Sequence, residues 1–514
     1  MNRSIMRLVP LAAILLASLT SACNNGGTIV GPPPPPPTGT FSNGSLKGQY
    51  AFLMAGTELC GGLSSAFTRA GSFTADGNGR ITGGLEDVNV CTGVFTLQFT
   101  NSTYSITADG RGTLHLTNST GTTNYSITLS SAIQGLIAQT DVNVTASGSF
   151  ERQNTAAFSN PAIANGYVFD FTGINDRLNP ESVIGRFTAD GAGGINTGLF
   201  DSNEAGTASN QQLFPTGAFY QLDTNGDGTN FGRGTANIAG HNFAFYIVDA
   251  TRLKLLGTDF PAEFSGEAFA QQNINFTASL LNSGFAFLLG GASSTGPIAT
   301  AGRFTADGAG NITNVVLDEN NSGNITLLPN GTVTGSYTVD PNQLGGGTLT
   351  WTDSKVPGSF SFIFYLISPT EAVFQEIDSG FTSDGTFHAQ TAGPITAAGL
   401  AGDFAFVWSG VVGTDELDFV GQLNLTSSSG NNAMGIMDFN DFGPGKQFFD
   451  IQFSGPLTIS APGTGANILS VTTNFPSART FNFTAYAVDS NTLFLIGAEN
   501  NRVSVIAGSL SRQP

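Results

Sequence analysis

Four Asp-x-Asn pairs are the polar groupings in this chain best suited to chemistry: Asp87/Asn89, Asp201/Asn203, Asp318/Asn320 and Asp438/Asn440. A carboxylate and an amide two residues apart offer hard oxygens to a cation, or donors and acceptors to the edge of a sugar. The competing role is an Asx-turn that shapes a strand end. Two ligands are too few for a tight Ca²⁺ site, so the turn is the expectation. Asp223, Asn225 and Asp227 match the first half of a twelve-residue calcium loop. Gly234 stands at the twelfth position, where a bidentate Glu belongs. The segment is a weak metal candidate, and an elongated hairpin tip is expected there. No other metal site and no cofactor is expected.

Nothing marks a catalytic centre. The three histidines, His115, His241 and His388, are scattered along the chain, and G-x-S-x-G, H-E-x-x-H and G-x-x-x-x-G-K-[ST] are absent. No enzyme is expected. Of the three cysteines, Cys60 and Cys91 lie about thirty residues apart. In an exported chain they are expected to form a disulfide; two buried free thiols are the alternative.

The elements that hold these residues come from an internal repeat. An aliphatic residue, an aromatic, a small residue and Phe recur as Leu46…Tyr50-Ala51-Phe52, Ile163…Tyr167-Val168-Phe169, Leu281…Phe285-Ala286-Phe287 and Leu400…Phe404-Ala405-Phe406. The aromatics fall 117, 118 and 119 residues apart. Bulky residues at every second position predict a strand with one buried face. Gly56, Gly173, Gly291 and Gly410 follow, where the strand is expected to stop or turn. Phe73-Thr74-Ala75-Asp76-Gly77 recurs at Phe187 and Phe304, and Asp-Gly between apolar runs signals a hairpin. In the first three units the Asp of Asp-x-Asn lies 14 residues after this Phe; in the fourth it lies 15 after Leu423. Each unit closes on a strand ending in Gln, as in Gly148 to Gln153 and Gly508 to Gln513.

Turn signals every eight to twelve residues, without an amphipathic helix, predict an all-β chain. It has four tandem antiparallel units of about eight strands each, up-and-down barrel-like, with a two-sheet sandwich as the alternative. The units are residues 46–153, 163–272, 281–390 and 400–513, expected to be strung as beads. The 42 Phe supply four cores, and the 67 Gly read as punctuation at strand ends and turns. The formal charge of −19 excludes a basic nucleic-acid binder, and 40% hydrophobic residues argue against general disorder. Nine Tyr and two Trp are too few for the two aromatic girdles of a membrane-spanning barrel.

The N-terminus reads as an export signal over residues 1–22, with Arg3 and Arg7 before the apolar run Leu8 to Leu19. Leu19-Thr20-Ser21-Ala22-Cys23 resembles the lipobox of bacterial lipoproteins. The resemblance implies cleavage before Cys23 and lipidation of that residue; Asn24 then implies sorting to the outer membrane. A lipobox followed by β repeats also loosely resembles uncharacterised bacterial repeat lipoproteins. Residues 23–45 read as a tether, with Pro32 to Pro37 reaching about 19 Å as polyproline II. Removing residues 1–22 takes away two arginines and no acid, so −19 becomes −21. So acidic a body is expected to touch the membrane through its lipid anchor alone. The expected role is that of an outer-membrane or cell-surface protein, binding or structural and adhesin-like, with a glycan or surface protein as partner and no nucleic acid. A carrier of small apolar ligands inside the barrels is the alternative.

Overall fold

The computed structural model describes residues 39–223, 231–328, 333–340, 344–353, 359–391, 395–426, 432–442, 446–459, 467–473, 479–499 and 504–514. The export signal, Cys23 and most of the tether lie outside the described residues, as do Asn225 and Asp227.

Alternating burial makes each signature a strand, and every strand pairing is antiparallel. The first unit comprises β1 (Lys47–Cys60), β2 (Leu63–Asp76), β3 (Arg80–Val90), β4 (Gly93–Gln98), β5 (Ser102–Ile106), β6 (Arg111–Asn118), β7 (Gly121–Leu129), β8 (Gln134–Gln139) and β9 (Val144–Arg152). β1 pairs with both β2 and β9, so the sheet closes on itself. β3 forks: Arg80 and Ile81 pair with β5, while Leu85 to Val90 pair with β4, which leaves β4 outside a ring of eight. The third unit repeats the fork at Asn311–Asn321. The fourth closes with eight strands, its long strand Gln447–Ile459 replacing both prongs. In the second unit the seam between Ile195–Glu204 and Phe219–Leu222 is joined by a single bridge, Gly194 to Phe219. The first, third and fourth units are closed barrels and the second is a half-barrel whose first and last strands also pair, which decides for the barrel over the sandwich.

Each barrel is filled by its own side chains. Tyr50 and Phe73 stack at 5.6 Å, Phe171 meets Phe243 at 4.9 Å, Phe287 meets Trp351 at 5.5 Å and Trp408 meets Phe483 at 4.6 Å. Glycine makes room for these rings. Gly71, Gly185, Gly302 and Gly421 lie mid-strand opposite Phe52, Phe169, Phe287 and Phe406, where a Cβ would stand at 2.6–2.7 Å from the ring. Many glycines are therefore core spacers rather than punctuation. Gly56, Gly173, Gly291 and Gly410 do not end their strands either. Each strand runs on through them, and a Cβ there would overlap the carbonyl of Thr145, Glu263, Thr382 or Val505 on the closing strand.

The four units are not strung as beads. Small outward residues of the first strands let neighbouring barrels approach closely. Ala51, Ala70 and Leu85 pack on Tyr246, Val248 and Leu256. Val168 and Ile184 pack on Ile363, Tyr365 and Val373. Ala286, Ala299 and Ala301 pack on Tyr486, Phe494 and Ile496. Ala405 and Val420 of the fourth unit return to Leu136 and Ala138 of the first. The barrels thus form a closed ring, and the described residues from Gly39 on belong to one compact unit.

Cys60 and Cys91 are joined as a disulfide, which ties the tip of β1 to the end of β3. Closing a loop over a separation of 31 residues stabilises by roughly 3–4 kcal/mol in the chain-entropy model. Cys60→Ser with Cys91→Ser is expected to lower the unfolding free energy by about that amount. Urea denaturation measures it, and an unchanged midpoint would contradict the assignment.

Candidate functional site

The Asp-x-Asn pairs form neither an open binding edge nor simple turns. All lie on the third strand of their barrel, and all four Asn are at most 1% exposed. The amide of Asn89 donates to Gly257 O at 3.0 Å and Ala262 O at 2.7 Å, in the last hairpin of the second unit. Asn203 donates likewise to Glu376 O and Phe381 O, and Asn320 to Gly497 O and Ser504 O, each at 2.7–2.8 Å. Asn440 closes the circle onto Gln139 O at 3.0 Å and Val144 O at 2.6 Å. One NH₂ group thereby bonds two carbonyls at the end of the neighbouring barrel's last hairpin.

The aspartates work beside them. Tyr246 Oη donates to Asp87 at 2.6 Å, Tyr365 Oη to Asp201 at 2.6 Å and Tyr486 Oη to Asp318 at 2.8 Å. In the first unit Thr128 stands where the other units carry this Tyr, and Asp438 accepts from Ser126 Oγ at 2.6 Å instead. Burial pushes the carboxyls of Asp201, Asp318 and Asp438 up, opposed by these hydroxyl donors. The closing glutamines act similarly. Gln153 donates to Phe231 O and Ile247 O, Gln271 to Leu344 O and Leu366 O, Gln390 to Ala487 O, and Gln513 to Asp109 O and Leu129 O of the first unit. Sequence reasoning saw the Gln only as a strand end. Its recurrence at a fixed place in every unit was the available signal.

Among the described residues, cavities lie between the barrels. One, of about 390 Å³, lies where the first, second and fourth units meet, lined by Leu53, Ser149, Glu151, Arg252, Glu267 and Val407 among others. Beside it Lys254, fully buried, holds Glu151 at 2.7 Å and Glu267 at 2.6 Å. Burial works to raise the Glu267 carboxyl, but Lys254 and Arg252 outweigh it and hold the group below its usual range. Asp170, paired with Glu267 across the sheet, has no such cation. Burial, with Asp384 of the third unit and Glu267 nearby, pushes it up to about 8. Burial likewise raises Asp384 to about 7 and Glu376 to about 8.

The second cavity, of about 360 Å³, sits at the junction of the second and third units. Among the described lining residues Arg186 is the one that carries charge, surrounded by Asn165, Thr188, Gln271, Gln272, Asn273 and Asn275, with Ile274, Phe276 and Leu344 as apolar wall. Sequence reasoning missed Arg186, because nothing local separates it from any other strand arginine.

The remaining candidates are dispersed. Asp223 is taken by Arg233 at 2.8 Å, and no cluster of three metal-ligating side chains occurs among the described residues. His115 meets Asn124 at 2.8 Å, His241 lies edge-on to Phe171 and Phe264, and His388 lies near Glu371. They occupy three different barrels.

No family model matches the chain, and no curated protein matches it. Solved structures give a loose likeness. A point mutant of transferrin-binding protein B from Haemophilus parasuis Hp5 is 9% identical over 74% of this chain and 84% of that one, at a TM-score of 0.20. The isotype 1 protein of that name from serogroup B Neisseria meningitidis is 9% identical over 74% and 85%, at 0.18. A protein of unknown function from Nostoc punctiforme is 11% identical over 47% and 100%, at 0.14. Scores this low carry no function from those proteins to this chain.

Asn320→Ala removes two buried hydrogen bonds and is expected to cost about 1–3 kcal/mol by urea denaturation. Asn237→Ala, at an exposed pair, should stay within about 0.5 kcal/mol. The raised carboxyls set a pH dependence. A carboxyl whose folded value lies above its unfolded value of about 4 contributes full stability below pH 4 and loses it as pH rises through the folded value. With Asp384 at about 7 and Asp170 at about 8, the melting temperature should fall from pH 5.5 to 8.5. Asp170→Asn with Asp384→Asn should flatten that decline; an equally steep profile in the double variant would contradict it.

Proposed function

We propose that this chain is an exported, lipid-anchored cell-surface protein whose ring of barrels is a rigid binding platform, held away from the membrane by its tether. The observation that carries the reading is the closure of four filled barrels into one ring by buried amide clamps. Filled cores leave the loops at the barrel ends and the cavities between barrels as the surfaces available to a partner. A carrier of apolar ligands would need a hollow barrel, whereas the interiors hold aromatic rings in mutual contact. The lipobox supplies the anchor, and the acidic body disfavours lying on anionic lipid. Glycans and other surface proteins are the proposed partners.

The anchor is tested by Cys23→Ser. Membrane fractionation is expected to move the protein from the membrane to the soluble fraction, since a lipid chain is then no longer attached. Full membrane retention of the variant would overturn the lipoprotein reading.

A further inference from the structure

The junction cavity between the second and third units combines three features that one class of ligand would use together. Its volume of about 360 Å³ lies in the range of small-molecule sites. Among its described lining residues the one charge is a guanidinium. Five side-chain amides surround it, with Ala164, Ala189, Ile274, Phe276 and Leu344 as apolar surface.

Arg69, Arg111, Arg177, Arg233 and Arg252 each hold a carboxylate. Arg186 instead gives Nε to Gln271 Oε1 at 3.1 Å and Nη1 to Thr188 Oγ1 at 2.7 Å, both neutral acceptors. Burial, with no compensating anion, lowers its proton affinity. Of the five N–H donors of an arginine, these bonds use two. Donors on both Nη atoms remain, the pair that grips a carboxylate side by side. Gly166 leaves the space that Nη2 occupies: a Cβ there would stand at 2.7 Å from it. The position varies among the units: Ser72 in the first, bonded to Gln153 at 2.7 Å, Arg303 in the third, also lowered by burial, and Gln422 in the fourth.

Net charge narrows the ligand. A chain at −19 repels polyanions, so nucleic acid and polyphosphate fit poorly. A molecule with one carboxylate on a neutral, hydroxyl-rich body loses little to that field. Its hydroxyls match Asn165, Gln272, Asn273 and Asn275, and its apolar ring face matches Phe276. We infer that the cavity lined by Arg186, Gln271 and the surrounding amides binds an acidic saccharide, a hexuronate unit whose carboxylate rests on the Arg186 guanidinium. This deepens the binding role proposed above and rests on it for biological meaning, but not for its test.

The test is titration calorimetry on the detergent-extracted full-length protein at low ionic strength, with digalacturonate, neutral galactobiose and inorganic phosphate as probes. Digalacturonate is expected to bind at least tenfold more tightly than galactobiose, and more weakly as salt rises. Arg186→Gln should abolish that preference while leaving the melting temperature within about two degrees, and Arg186→Lys should keep part of it. Absence of digalacturonate binding, equal binding of the neutral disaccharide, or undiminished preference in Arg186→Gln overturns the assignment. Phosphate binding as tight as digalacturonate overturns its saccharide part. A Cys23→Ser variant that stays on membranes yet binds digalacturonate would sink the anchored-platform reading and leave this one standing. Membrane release without digalacturonate binding would do the reverse.

Discussion

One amide side chain, placed once per repeat, holds the assembly together. The final hairpin of each barrel presents two carbonyls to its neighbour, and hydrogen bonds between buried groups hold the faces together. An Asn from the neighbouring barrel bonds both with a single NH₂ group. Because donor and acceptor faces belong to opposite sides of each unit, the contact is head-to-tail and propagates around a circle. It ends when the fourth unit meets the first, where Asn440 and Gln513 complete the bonding.

Close packing of the barrels explains the unusual ionisation. Outward faces that would be wet on a lone barrel are dry here. Some carboxylates on those faces find a cation, as Glu267 finds Lys254 and Arg252, and others, such as Asp170 and Asp384, are pushed up by burial. The same geometry makes the cavities. Round barrels cannot tile without gaps, so space is left where three units meet and where one linker crosses to the next barrel. Filled interiors and unfilled junctions move the candidate binding surfaces from inside the barrels to between them.

Much of this was legible in the chain. The repeat, the alternation of Tyr50-Ala51-Phe52 and its copies, the Asp-Gly hairpins and the Cys60–Cys91 pairing each follow from local pattern or from counting. The small middle residue of the signature, Ala51, Ala286 or Ala405, was visible too, but it reads as solvent-facing filler until a neighbouring barrel covers it. The mid-strand glycines misled in the same way. Gly302 is a turn former by type and a spacer beneath Phe287 by position, and that position is set by the opposite strand.

By itself, then, the sequence determined four β units, their strands and their cores, because side-chain alternation and turn chemistry act between residues close along the chain. The recurrence of Asp-x-Asn and of the closing Gln was equally plain. Their partners were not, since Asn89 reaches carbonyls 168 and 173 residues away and Asn440 reaches back 296. Only the tertiary structure decided that the units close into a ring, that the polar repeats are clamps, and that Arg186 is left facing a cavity without a carboxylate. A strand's period fixes which of its faces is buried in its own barrel; what covers the other face depends on surfaces brought together only when whole barrels meet.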